Sequence, residues 1–388
     1  MKVLFVSNLF PDSTDPVRGR VNATLLRQMS KQAEVRVIGL RPSIPFVGKK
    51  YEHLKPCPED EILKPVYRTV IYIPKVGSRI NHRLLAARVQ PTLHRVQRDF
   101  DYDVVLCSWL YPDVCGVARL LKGLKVPLVG ISQGTDAHQY LKIKFRRKLI
   151  VKTLNRIGGA ITRSKDLAKR LQEAGVREDR LFPIYNGVDT EIFRSGVRRD
   201  ARRALKLPED PKIILYVGNF LPIKNPMLLL RAHANLTRRL AGNPPHLALV
   251  GAGPLRQEIE EFAAANGTKN RLYLLGQKSP VDVARCMQAA DVLCIPSDNE
   301  GVPNVGFEAM ACGLPVVATK VGGIPEIVDQ DFIGRLVEKG DESGLTEALA
   351  KVLEERQDRD KIAAHAGQFA WAKTTDSYLK VLEGALKK

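Results

Sequence analysis

In the stretch SDNEGVPNVGFEAMACGLPVVAT, residues 297–319, Glu300 and Glu308 stand eight positions apart. Gly301 and Pro303 between them force a tight turn. Asn304 is a fair N-cap, and Gly313 closes the short helix VGFEAMACG before Pro315. The N–H groups at such a helix start favour an anion, and carboxylates accept hydrogen bonds from hydroxyls. A ligand joining phosphates to polyols, such as a nucleotide sugar, suits the pair. The same residues also read as one capping glutamate beside one solvated glutamate.

Five further segments offer chemistry, and each has an ordinary reading beside it. Lys224 follows Gly218 by six residues after the strand-like YVG, where an ammonium could neutralise a diphosphate or stand as a surface lysine. Gly251 and Gly253 form a G-x-G without the third glycine of a dinucleotide fingerprint. Gly19, flanked by Arg18 and Arg20, would let the first βα loop approach a phosphate or would merely relax that loop. Gln133, Asp136 and His138 arrive together at a strand end, although a lone histidine is more often structural. In KIKFRRKLIVKTLNR, residues 142–156, apolar residues share one helical face, and Arg146, Arg147, Lys148 and Lys152 cover much of the rest. That is the pattern of a helix lying on a membrane surface, or of a basic helix packed on its own sheet.

The elements that must position these groups alternate. Short apolar, β-branched runs, among them 2–7, 34–40, 68–74, 103–108, 127–132, 159–164, 212–218, 246–251, 271–276, 291–297 and 315–319, are each followed by a helix-like stretch. This spacing predicts an α/β fold of doubly wound parallel sheets. The pattern pauses over 185–212, which carries Asn186-Gly187, a charged segment and Pro208 and Pro211, so it is expected to join two Rossmann-like domains. The domains are expected at 1–187 and 188–365, with a C-terminal helix over 366–388 and no strand beyond residue 320. Ligands of such sheets bind beyond the carboxyl ends of the strands, so the candidates belong in a cleft between the two domains.

Composition narrows the function classes. The 388 residues are 44% hydrophobic and 27% charged, as in a soluble globular protein, and no apolar run approaches a membrane span. The opening MKVLFVSNLFPDSTD reads as a first strand and not as a cleaved leader. Six cysteines without C-x-x-C spacing suggest buried thiols in a reducing cytoplasm, with neither disulfides nor a metal site. Of the 61 Lys+Arg, 34 fall in residues 1–190, against 17 of the 42 Asp+Glu. The first half therefore carries nearly all of the net +19 and suits an anionic partner. An aromatic content of 6% with no aromatic–basic motif argues against nucleic acid.

Together these segments resemble the retaining glycosyltransferases of family 4, which have the GT-B fold. Residues 297–328 look like that family's signature, with Glu300 and Glu308 in its E-x7-E spacing. IYNGVDTEIF (184–193), VGNFLPIKN (217–225), VGAGPLR (250–256) and LLGQKS (274–279) follow in the family's order. The resemblance implies a GT-B architecture of two Rossmann-like domains across a cleft, with the last helix crossing back to the first domain. It implies a metal-independent enzyme without a cofactor, taking a UDP- or GDP-sugar as donor. Glu300 would hold the donor sugar and Glu308 the ribose. The backbone from Gly301 through Val302, Pro303 and Asn304 to Val305 would meet the phosphates. Lys224 would stabilise the leaving diphosphate, Gln277 and Lys278 would lie by the base, and Gly251, Gly253 and Gly19 would line the donor. Asp136, in a matching Gly-x-Asp, would join Lys224 and Glu300 as a catalytic group.

Two positions depart from the pattern. Asn219 stands where many relatives have a diphosphate-binding arginine, a loss that Arg18 or Arg20 could make good. Gln133 stands where many have a histidine. The function expected is transfer of a sugar to a glycan or lipid-linked acceptor at the inner face of the cell membrane. The alternatives are a nucleotide-sugar epimerase of the same fold and a basic, non-catalytic binding protein.

Overall fold

The computed structural model describes residues 1–46, 51 and 53–387. The chain forms two compact units, one of Met1–Asn186 with Trp371–Lys388, the other of Gly187–Ala370. The second unit runs on past the expected boundary at 365.

The first unit is built on seven parallel strands: β1 Lys2–Ser7, β2 Glu34–Ser43, β3 Val66–Ile71, β4 Val104–Ser108, β5 Leu128–Ser132, β6 Gly159–Thr162 and β7 Leu181–Pro183. Their order is β3-β2-β1-β4-β5-β6-β7. Alternation along β1 divides two cores. Leu4 and Val6 join Ile38, Val105 and Leu93 on one face, while Val3 and Phe5 join Leu26, Leu106 and Tyr378 on the other. A strand buried on both faces reads as continuous apolar sequence, which is why KVLFVS shows no polar alternation. The helix Trp371–Leu386 supplies Trp371, Tyr378, Leu379 and Leu382 to the second of these cores. Each large apolar side chain buried this way contributes about 1.5–3 kcal/mol.

The second unit carries six parallel strands: β8 Ile213–Val217, β9 His246–Val250, β10 Leu272–Gly276, β11 Val292–Ile295, β12 Val316–Thr319 and β13 Gly334–Val337. Their order is β10-β9-β8-β11-β12-β13.

Three sequence expectations are corrected here. Strands do not end at residue 320, because β13 pairs with β12 through Val316↔Gly334 to Thr319↔Val337. As an edge strand reading GRLV it has too few apolar residues to announce itself. β7, three residues long and half exposed, was missed for the same reason. The charged stretch after Gly187 is not all linker: Arg198–Ala204 is a helix, and its Arg202, 3% exposed, donates to Asp291 Oδ2 at 2.7 Å.

Each sheet reverses its winding direction once. The reversal falls between β1 and β4 in the first unit and between β8 and β11 in the second. Adjacent crossovers leave opposite faces at such a point, opening a crevice at the carboxyl edge where ligands of these sheets bind.

Candidate functional site

At the reversal point of the second unit, the loops after β8 and β11 meet. Lys224 ends the 3-10 turn Pro222–Lys224, and its Nζ lies 2.5 Å from Glu300 Oε1. The same carboxylate oxygen accepts from Ser297 Oγ at 2.9 Å. Asn225, left-handed at φ 45, caps the helix Pro226–Arg239 and also donates to Asp298 Oδ1 at 3.1 Å. Asp298 N in turn donates to Ile223 O at 2.9 Å. Residues 76 positions apart in sequence are thereby held as one unit.

The turn after Glu300 is held from outside. Gly323 N donates to Gly301 O at 2.8 Å, and a Cβ on Gly322 would stand 1.9 Å from Glu300 O. At Gly301 itself a Cβ would meet nothing within 4 Å. Packing therefore does not demand glycine at 301, which leaves the approach of a ligand to the backbone as a reason for it. The helix Asn304–Ala311 begins next, half exposed at Val302–Val305. Its N-cap is Pro303, without a side-chain hydrogen bond, and not Asn304 as expected. Glu308 lies half buried in this helix.

The remaining donor candidates sort by environment. Asn219, Gln277 and Lys278 are exposed in the loops after β8 and β10. Gly251 has a structural reason to be glycine, since a Cβ would lie 1.9 Å from Gly218 O. At Gly253 a Cβ would lie 2.5 Å from Phe220 O, again too close for a side chain. These two bring the loops after β8 and β9 together.

In the first unit, Gly19 adopts φ 62 before the helix Arg20–Met29, and a Cβ there would collide with Leu9 O at 2.1 Å. Arg18 is paired with Asp15 at 3.0 Å. Gln133 Nε2 donates to Ser108 Oγ at 2.7 Å and Asn22 Oδ1 at 2.9 Å, so it braces the loop ends. His138 is half buried, and desolvation lowers its pKa.

Asp136 is not placed as a catalytic group. It is fully buried and accepts from Ser132 Oγ, Gln133 N, Gly134 N and Leu110 N at 2.9–3.1 Å. Burial raises its pKa, and the four donors oppose that rise. With both oxygens occupied, it holds the chain after β4 against the chain after β5.

Arg146 is corrected as well. In the helix Lys144–Leu154 it is 8% exposed, with its guanidinium 4.3 Å from the Tyr140 ring centre and 5.1 Å from that of Tyr111. Cation–π contact inside the unit replaces the expected outward role. Arg147, Lys148 and Lys152 remain exposed.

All six cysteines are free and buried. Among the described residues, Cys57, Glu59 and Asp60 lie within 4.8 Å of one another. Asp60, however, is paired with Arg27, whose charge opposes a cation at that place.

Sequence reasoning missed a second constellation, at the reversal point of the first unit. A cavity of about 210 Å³ is lined there by Asn8 after β1, Ile71 and Tyr72 at the end of β3, Trp109 and Asp113 after β4, and Tyr140. Asp113 is 1% exposed, and its Oδ2 accepts from Asn8 N at 2.7 Å and Asn8 Nδ2 at 2.9 Å. Burial lifts its pKa to about 7, against the pull of the two Asn8 bonds and with a smaller push from Asp136. A carboxylate two residues before an apolar helix carries no local signal, so nothing in SWLYPDVCG singled it out.

Comparison with known proteins fits this geometry. Residues 19–192 match the family model described as Glycosyltransferase Family 4, and residues 197–369 match that described as Glycosyl transferases group 1. Each half of the chain is thus similar to a glycosyltransferase family model. A D-inositol 3-phosphate glycosyltransferase from Saccharomonospora viridis is 36% identical over 232 residues, covering 57% of this chain and 53% of that protein. The chain thus spans about half the length of the curated relatives it matches. HepE of Anabaena, solved in complex with UDP, superposes with a TM-score of 0.75 at 22% identity, covering 99% of this chain and 100% of that one. Sucrose-phosphate synthase from Thermosynechococcus elongatus gives 0.74 at 20% identity, covering 99% and 98%. These two likenesses establish the GT-B fold.

Proposed function

We propose that this chain is a retaining, metal-independent glycosyltransferase of family 4 that takes a hexose from a UDP- or GDP-sugar. The Lys224–Glu300–Ser297 constellation at the reversal point of the second unit is the observation that carries this reading. Without ligand, Lys224 and Glu300 satisfy each other. An entering diphosphate competes for the ammonium and a sugar hydroxyl for the carboxylate, so the pair holds both groups ready in place. The turn Gly301–Pro303 and the N–H groups opening Asn304–Ala311 add positive potential for the phosphates. Glu308, one turn further on, takes ribose hydroxyls, completing the E-x7-E role. The donor's anomeric C–O bond to the diphosphate breaks and a bond to the acceptor oxygen forms on the same face. The acceptor proton passes to the leaving diphosphate oxygen, whose charge Lys224 and the helix start stabilise.

The acceptor in this reading is a glycan or lipid-linked glycan of cell-surface synthesis, reached at the inner face of a membrane. Support comes from exposed Ile143 and Phe145 among Lys142, Lys144, Arg147 and Lys148, an apolar tip ringed by cations. No helix among the described residues is long and apolar enough to cross a membrane.

Thermal shifts with UDP-, GDP- and ADP-sugars, with and without EDTA, test the donor reading. A shift for one base, indifferent to EDTA and lost in Glu308→Ala, is expected; silence with all three bases would end it. Vesicle sedimentation tests the surface: anionic vesicles should retain the wild type and release Arg147→Glu/Lys148→Glu/Lys152→Glu. A wild type that ignores anionic vesicles removes the membrane part.

A further inference from the structure

We propose that the cavity at the reversal point of the first unit binds one uncharged, polyhydroxylated six-membered ring, a hexopyranoside or cyclitol, stacked beside Trp109 and hydrogen-bonded to Asp113. This rests on the transferase reading and specifies its acceptor.

Position is the first argument. The cavity lies beyond the carboxyl ends of β1 and β4, where the winding of the first sheet reverses. It repeats in this unit the place that the Lys224–Glu300 pair holds in the other.

The wall has the chemistry of a sugar site. Trp109, Tyr72 and Tyr140 supply aromatic faces, and Pro42, Val70 and Leu85 supply aliphatic ones. The C–H face of a sugar ring packs on such surfaces, and a few placed polar groups set its orientation. Asp113 and Asn8 are those groups. None of the lining residues is Lys or Arg. A phosphate inside would meet a carboxyl group and aromatic rings with no cation among the lining residues. The site therefore favours an uncharged ring over the phosphorylated inositol for which the Saccharomonospora relative is named. About 210 Å³ is many times the roughly 10–15 Å³ of such space that one water needs, which leaves room for a ring.

The backbone is held for this purpose. Trp109 has φ 76 and ψ 103, outside the regions an L-residue prefers. Such conformations persist where surrounding contacts impose them, and they cluster at ligand sites. Here Trp109 N donates to Ile131 O at 3.0 Å, and the next residue, Leu110, donates its N–H to Asp136 Oδ2 at 3.0 Å. The indole stands edge-on to Tyr140, 90° between planes and 5.9 Å between centres. The buried Asp136 thus acts as a positioning residue for the Trp109 wall.

Saturation-transfer NMR and calorimetry with methyl hexopyranosides, myo-inositol and an inositol monophosphate test the assignment. The variants are Trp109→Gly, which removes the indole at a backbone conformation glycine adopts freely, and Ile71→Trp, which fills the cavity from the end of β3. At least one uncharged ring should bind the wild type, more tightly than the inositol phosphate and at least tenfold more tightly than it binds either folded variant. No uncharged ring bound, a preference for the phosphate, or undiminished binding in both variants would overturn it. Thermal shifts with UDP, GDP and ADP in the same samples report on the donor reading separately. A nucleotide shift without ring binding sinks this inference alone, and ring binding without any nucleotide shift sinks the transferase reading.

Discussion

Replacing Gly301 by alanine separates a ligand-driven glycine from a packing-driven one. At this position a Cβ meets nothing within 4 Å, and the backbone lies outside the left-handed region. The hydrogen bond from Gly323 N to Gly301 O involves only backbone and survives the change. Folding should therefore become more favourable by about 0.4–1 kcal/mol, because alanine narrows the unfolded ensemble. In a unit of this size that is a rise in Tm of about 1–4 °C. Ligand binding should move the other way. A methyl group on the turn between Glu300 and the Asn304 helix start pushes a bound diphosphate away from its donors. A loss of one good contact, about 1.4 kcal/mol, is a tenfold rise in Kd. Titration of the preferred nucleotide by calorimetry, beside a thermal melt, reads both effects. Gly322→Ala is the contrast: its Cβ would lie 1.9 Å from Glu300 O at φ 53, so the unit itself should be destabilised. If Gly301→Ala binds nucleotide as tightly as the wild type, the ligand does not approach this turn. If its Tm falls by several degrees, the local packing argument is wrong.

Two other expectations follow from buried charge. Arg41, 1% exposed, is paired with the equally buried Asp12 and donates to Leu40 O and Phe10 O at 2.9 and 2.8 Å. Arg41→Met strands that carboxylate and should cost about 3–5 kcal/mol in urea unfolding, with part recovered in Arg41→Met/Asp12→Leu; a loss below about 1 kcal/mol would contradict the burial argument. Asp113 titrates at about 7 in the folded chain against a reference of 3.8. It holds a proton on folding that the unfolded chain releases, so its stabilisation is complete below about pH 4 and is lost as pH rises through 7. Relative to Asp113→Asn, the wild type should lose on the order of 4 kcal/mol of stability across that window. Parallel pH profiles for the two proteins would contradict it.

Much of this molecule is written locally. Apolar, β-branched runs separated by helical stretches specified most of the strands, because a parallel strand buried on both faces must be apolar throughout. The Gly301–Pro303 turn, the short helix behind it and its stop at Gly313 were legible for the same reason: each depends on the φ, ψ preferences of a few adjacent residues. The glutamate spacing and the lysine after β8 pointed to the candidate site, since loops at strand ends are where such sheets hold ligands.

What tertiary structure decided are the relations between distant segments. Lys224 faces Glu300 because β8 and β11 are neighbours at a reversal point, and strand order is absent from any local window. Asp136 looked reactive in sequence; its surroundings occupy both oxygens with four donors and make it a brace. Arg146 looked like a surface cation, but helix packing carries it onto Tyr111 and Tyr140. The Trp109–Asp113 cavity, assembled from the ends of β1, β3 and β4, has no sequence signature at all. Its parts are ordinary residues, and only long-range packing sets their burial, charge state and mutual distance, on which its chemistry depends.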